Sequence, residues 1–256
     1  MEFDPRLFSD LKDKDFSGSG LMALEGRILI EKALECGIEM LGLVRSEDSG
    51  EDWLEAYAGK FPITTLDHAA LCAIAGFKFH HGAIAMARRP ELWPASSLAA
   101  GVGAWLCLWN VTDPSNVGAL IRSAAGLGAT GILLGTGCAD PYYRKALRAS
   151  MGNAFSLPLY ACDEAALRAL AGRGFNLAAA TLSPKALPLG AFTPRRPFVL
   201  VVGNEGFGLP SGIVDICRDE VYIPMSPGID SLNVVVAGGI CMYELFGNRA
   251  GGLTRP

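Results

Sequence analysis

A chain of 256 residues, half of them apolar and with a formal net charge of −4, is long enough for two cores. It lacks the basic excess that usually supplies affinity for nucleic acid, so any such affinity has to come from local clusters. No apolar run is long enough to span a bilayer, because Ala99–Leu108 and Leu232–Phe246 are too short or interrupted. The opening MEFDPRLFSDLKDKD has no basic start followed by an apolar stretch. A cytoplasmic protein without a membrane partner is expected. Seven scattered cysteines and three histidines, His68, His80 and His81, show neither CxxC pairing nor ligand spacing. That argues against a disulfide framework and against a metal site.

The spacing of apolar residues through Leu24–Ile30 and on to Cys36 predicts a helix stopped by Gly37. Met40–Val44 reads as a strand, Trp53–Ala58 as a helix, Ile63–Thr65 as a short extended piece, Leu66–Ile74 as a helix capped by Asp67, and His81–Ala87 as a returning strand. This alternation fits a small α/β domain over residues 1–95, and Arg89–Ser97, with its prolines and serines, fits a linker. A second domain, residues 96–256, then alternates strand and helix as a parallel sheet of five or six strands does. Its strands are Trp105–Trp109, Ile132–Leu134, Leu157–Tyr160, Asn176–Thr181, Phe198–Val202 and Val221–Met225, and Phe198–Val202 is apolar throughout, as a strand buried on both faces is. Its helices are predicted over Val117–Leu127, over Asp140–Ala149, after Asp163, and from Ser231 as N-cap into a run apolar all round.

Two loops face one another at strand ends. Gly203-Asn204-Glu205-Gly206-Phe207-Gly208-Leu209 carries three glycines, which let backbone amides turn inward on a ligand, and one acid. The stretch after Ile223-Pro224-Met225 leads into Ser231-Leu232-Asn233. Upstream, DPSNVGALIRSA follows the Trp105–Trp109 strand, with Arg122 off the apolar stripe Val117, Leu120, Ile121, Ala124. Gly118, one turn earlier, would let the guanidinium reach back towards the loop. Gly126–Gly131 matches GxGxxG but closes a helix and leads into a strand, the reverse of a dinucleotide fingerprint. Arg88-Arg89, Arg144-Lys145 with Arg148, and Arg195-Arg196 are basic clusters, and each suits a solvated surface as well as an RNA contact.

GNEGFGL, IPM and SLNV in this order, preceded by DPSNVGALIRSA, resemble the three motifs of the SpoU (TrmH-like) branch of the SPOUT RNA ribose methyltransferases. The EGR start and the FKFHHGAIAMA return resemble the L30e-like substrate-binding domain that precedes the catalytic domain in many of them. The resemblance implies a parallel-sheet domain with a C-terminal trefoil knot and transfer of a methyl group from S-adenosylmethionine to a ribose 2′-hydroxyl of transfer or ribosomal RNA, by a homodimer without a metal. It implies that Thr181, Leu182, Gly203, Asn204, Gly206, Ile223, Met225 and Leu232 hold the cofactor. Arg122, Asn116, Glu205, Ser231 and Asn233 would serve catalysis, with Glu205 orienting Asn116 or Arg122, and KALRASMGNAF would approach RNA phosphates. A guanidinium loses its proton only above about pH 12, so Arg122 suits phosphate positioning better than proton removal. Val235 departs from the small polar residue common after SLNV. The rival readings are a non-catalytic RNA-binding protein that keeps the fold, and a related enzyme acting on a base.

Overall fold

The computed structural model describes Phe8, Leu11, Phe16 and residues 18–49, 52–75, 82–99, 101–228 and 231–247. His80 and His81, and with them the start of the returning strand, lie outside the described residues. Two sheets organise the chain. The smaller takes β1 (Leu21–Glu25), β2 (Met40–Ser46), β3 (Ile63–Leu66) and β4 (Ala83–Arg88) in the order β1-β4-β2-β3. In it β4 is antiparallel to both neighbours and β2 is parallel to β3. Helices α1 (Arg27–Glu35) and α2 (His68–Ala75) connect these strands.

The long helix expected from Leu24 onward is instead a strand and a helix. Gly26, at φ 80°, breaks the apolar run between them, a conformation glycine adopts without a Cβ clash. Periodicity cannot separate a short buried strand from a helix start when both are apolar. Asp67 caps α2, accepting from the Ala70 N–H at 2.7 Å. The 52–57 segment is a 3-10 turn rather than an α-helix.

The larger sheet is parallel throughout. Its strands are β5 (Trp93–Pro94), β6 (Ala104–Leu108), β7 (Gly131–Gly135), β8 (Leu159–Cys162), β9 (Asn176–Ala180), β10 (Leu187–Pro188), β11 (Phe198–Val202) and β12 (Asp219–Tyr222). Six form the body of the sheet, and the two-residue strands β10 and β5 extend its edges, giving the order β10-β12-β9-β11-β6-β7-β8-β5. Part of the stretch expected to be a free linker is thus the edge of this sheet, because Trp93 and Pro94 pair with Tyr160 and Ala161. The five residues of β11 are buried, as are those of β6 and β7. Each fully buried Val, Leu or Phe in them contributes roughly 1.5–3 kcal/mol relative to exposure.

Helices α3 (Pro114–Gly126), α4 (Arg144–Ser150), α5 (Glu164–Gly172), α6 (Ser211–Val214) and α7 (Val234–Met242) complete the fold. Among the described residues none is long and apolar enough to cross a membrane. α3 begins earlier than the apolar stripe suggests, with Pro114 in its first turn and Asp113 as N-cap, because proline's missing N–H is no loss there. A Cβ on Gly118 would lie 2.2 Å from the Ala146 carbonyl oxygen and 2.8 Å from the Ala149 Cβ. The space that seemed open for Arg122 to reach back through is therefore occupied by α4.

α4 also ties the two sheets together. The Glu25 side chain, 1 % exposed, accepts from Arg144 Nε and, at 2.8 Å, from Arg148 Nη1, while Arg144 Nη1 donates to the Leu11 carbonyl. Removing one partner of a buried pair leaves the others uncompensated. We therefore predict that Glu25→Ala loses about 3–5 kcal/mol, read as a lower urea midpoint with an unchanged slope; a midpoint equal to that of the unaltered protein would refute the clamp.

Candidate active site

Pairing of β6 with β11, Leu108 beside Val202, sets the loops that follow these two strands side by side. Trp109 N donates to the Val202 carbonyl at 2.9 Å. From there the chain of β6 enters α3, and the chain of β11 enters the loop 203–208. Asn116 Nδ2 donates to Glu205 Oε1 across a separation of 89 residues, and Asn204 Nδ2 donates to the Asn110 carbonyl at 3.0 Å. Asn110 has φ 55°, a left-handed conformation that asparagine tolerates better than most residues. It is the contact between the two loops that the motifs did not flag, and its only sequence signal is an Asn just past a strand.

The 203–208 loop is shaped by its own backbone. Asn204 and Gly208 exchange N–H to carbonyl bonds at 3.2 and 2.9 Å, and Asn204 Oδ1 accepts from the N–H groups of Gly206 and Phe207 at 2.8 and 3.1 Å. A Cβ on Gly203 would fall 2.6 Å from the Gly208 carbonyl group, so this position has no room for a side chain.

Beside the loop lies a cleft of about 390 Å³ at the carboxyl ends of β12, β9 and β11. Small-molecule pockets run from about 300 to 1,000 Å³, and strand ends are where open α/β sheets bind ligands. Thr181, Leu182, Gly203, Asn204, Gly206, Ile223, Met225 and Leu232 all line it, as do Glu205 and Ser231. Thr181 Oγ1 accepts from the Ser183 N–H at 3.2 Å. Cys241, also on the wall, has its thiol pushed up to about 12 by burial, so it stays neutral and serves as an apolar surface.

Three of the expected site residues stand outside this cleft. Asn116 reaches it only through Glu205. Arg122 lies six residues further along α3, about 9 Å at 1.5 Å per residue, and is exposed. Asn233 is the N-cap of α7, its Oδ1 accepting from the Val235 N–H at 2.9 Å, which corrects the assignment of that cap to Ser231. Ser231 is left exposed on the cleft rim. Among the described residues no group of three His, Cys, Asp or Glu side chains gathers as a metal site would.

The basic clusters are largely engaged by the protein itself. Besides the pair on Glu25, Arg89 bridges to Asp140 at 2.7 Å and lies over the Tyr142 ring. Arg196 donates to the carbonyls of Leu245 and Phe246 at 3.0 and 3.3 Å and faces the Phe198 and Phe246 rings. Lys145 Nζ contacts Asp113 Oδ1 at 2.8 Å, where that oxygen also accepts from the Ser115 N–H. The Lys145 ammonium, and after it the Ser115 N–H, holds the Asp113 carboxyl below its usual value. A depressed carboxyl stabilises the fold above its unfolded value, about 4, and that contribution fades as pH falls through the depressed value. Because Lys145 and Asp113 are each about half exposed, we predict that Lys145→Met costs at most about 1 kcal/mol at pH 7. The difference should vanish near pH 2, as read from thermal unfolding at both pH values. An equal loss at both would assign Lys145 a packing role instead.

Residues 103–243 match the family model described as the SpoU rRNA Methylase family. A Mycobacterium bovis protein described as an uncharacterized tRNA/rRNA methyltransferase is 34% identical, over 94% of this chain and 88% of its own length. The 23S rRNA (guanosine(2553)-2′-O)-methyltransferase of Bacillus subtilis is 28% identical, over 91% of this chain and 92% of its own. A crystal structure of an AdoMet-bound rRNA methyltransferase from Sinorhizobium meliloti superposes with TM-score 0.82 at 24% identity, covering 94% of this chain and 91% of that one; at that identity it speaks for the fold.

Proposed function

Because the chain belongs to the SpoU rRNA methylase family, we infer that it transfers a methyl group from S-adenosylmethionine to a ribose 2′-hydroxyl of RNA, transfer or ribosomal. The observation that carries this reading is the Asn116–Glu205 hydrogen bond at the mouth of an apolar cleft at three strand ends.

The cofactor fits the residues present. The backbone of Gly208 closes tightly on Gly203, which holds the 203–208 loop against the cleft, and Ile223, Met225 and Leu232 supply apolar walls. When bound, S-adenosylmethionine supplies a methyl group already activated by its sulfonium. The protein's task is then to hold the ribose oxygen in line with that group, exclude water and let a proton leave. Glu205 fixes the Asn116 amide by a charge-assisted hydrogen bond. Arg122 presents a charged fork to the substrate phosphate. Its exposure, and the absence of a side-chain hydrogen bond or ion pair to it among the described residues, support that role. The proton passes to a phosphate oxygen or to water, since guanidinium stays protonated. Ser231, on the cleft rim, is assigned to the substrate side, and Asn233 to holding the α7 terminus.

The finer architecture follows the same membership. The division into residues 1–95 and 96–256, with the first an L30e-like RNA-docking domain, is supported by the separate four-stranded mixed sheet. A trefoil knot is supported by the packing of α7, which follows β12, on α3 and β11. A homodimer is supported by Val236, Ile240 and Tyr243, which are 50, 40 and 54% exposed and recur along one side of α7 and the turn after it at four- and three-residue spacing. An RNA substrate makes the cytoplasm the site of action.

We predict that Arg122→Lys and Glu205→Gln each lower turnover about 100-fold while cofactor affinity stays the same, because a misplaced group suffices for such a loss. Label from S-adenosylmethionine entering bulk transfer and ribosomal RNA, followed by nuclease digestion to 2′-O-methylnucleosides, measures this. Cofactor binding without label in any RNA would favour a non-catalytic RNA-binding protein, and label on a base would favour a base enzyme. Ile240→Glu should convert a dimer to a monomer by light scattering; an unchanged mass would remove α7 as the interface.

A further inference from the structure

Phe207 is 90% exposed, the most exposed large apolar side chain among the described residues, and it stands two residues from Glu205. A lone apolar residue on a surface is ordinary. Phe207 differs because its backbone is held. Its N–H is bound by Asn204 Oδ1, and the Asn204–Gly208 bridge closes the loop beneath it. Gly206 and Gly208 on either side carry no side chain that could cover the ring. The ring does not line the cleft, although Glu205, Gly206 and Gly208 do, so it is not a wall of the cofactor site.

A ribose placed against the cleft mouth carries its base with it, and that base can meet a protein ring beside the cleft only when it is unstacked from its neighbours. RNA-binding proteins commonly receive such unstacked bases on aromatic rings, which every base can use because each has a π-face. We propose that Phe207 is the platform on which the base of the target nucleotide stacks. The site thereby selects a nucleotide in a loop, bulge or flipped-out position rather than a particular base identity. This assignment rests on the methyltransferase reading above.

The test compares the full-length protein with Phe207→Leu, which keeps the apolar bulk without a π-face, and Phe207→Tyr, which restores the ring. Unmodified 23S ribosomal RNA transcripts and bulk transfer RNA serve as substrates, alongside a cofactor titration and light scattering. Phe207→Leu should lower kcat/KM for RNA about 5- to 100-fold, mainly through KM, with Phe207→Tyr within about twofold of the unaltered protein. Cofactor affinity and mass should be unchanged in both. Equal activity of Phe207→Leu and the unaltered protein would overturn the assignment, and so would weakened cofactor binding in both variants, which would make Phe207 a loop-holding residue. A smaller mass for Phe207→Leu would overturn it in favour of contact with a second copy. No transfer by the unaltered protein would instead refute the methyltransferase reading, and this assignment with it.

Discussion

The parallel pairing of Phe198–Val202 with Ala104–Leu108 is the constraint on which the site depends. Neither strand has chemistry of its own, and both are buried along their length. Their adjacency brings an acid at position 205 to an amide at position 116, and an asparagine at 204 to a carbonyl at 110. Loops attached to rigid strands inherit the precision of the ladder. A one-residue slip would turn every core side chain of β11 to the opposite face, so the hydrophobic effect guards the geometry of the polar groups above it.

Charge is used in this protein mainly to join parts. α4 carries three basic side chains, and they reach Glu25 in the small sheet and Asp113 at the start of α3. One short helix therefore contacts the smaller sheet and the helix bearing Asn116, meeting the backbone of the latter closely at Gly118. The negative net charge agrees with such internal use of arginine.

Much of this was legible in the sequence where a single physical cause dominates. β11 follows from an unbroken apolar run. The α2 and α5 caps follow from Asp67 and Asp163, each accepting from the N–H three residues on. The cleft residues follow from the order of three motifs. What stayed hidden needed information about neighbours. β1 and α1 were indistinguishable as one apolar stretch until Gly26 took its positive φ. Ser231 and Asn233 are equally good caps, and only the path of the chain into α7 decides between them. The basic face of α4 has the same composition whether it meets phosphate or Glu25, and Asn110 carries no mark that its carbonyl holds another loop.

Arg196 has a consequence for motion. It grips the carbonyls of Leu245 and Phe246, with its guanidinium beside the Phe198 and Phe246 rings, and so fastens the far end of the α7 segment to the start of β11. Terminal helices ordinarily fray at little free-energy cost. Here the near end of α7 is capped by Asn233 and the turn after it is held by Arg196, so both ends of this helix are restrained. The ligand cleft accordingly has, along α7, one wall fixed at both of its ends.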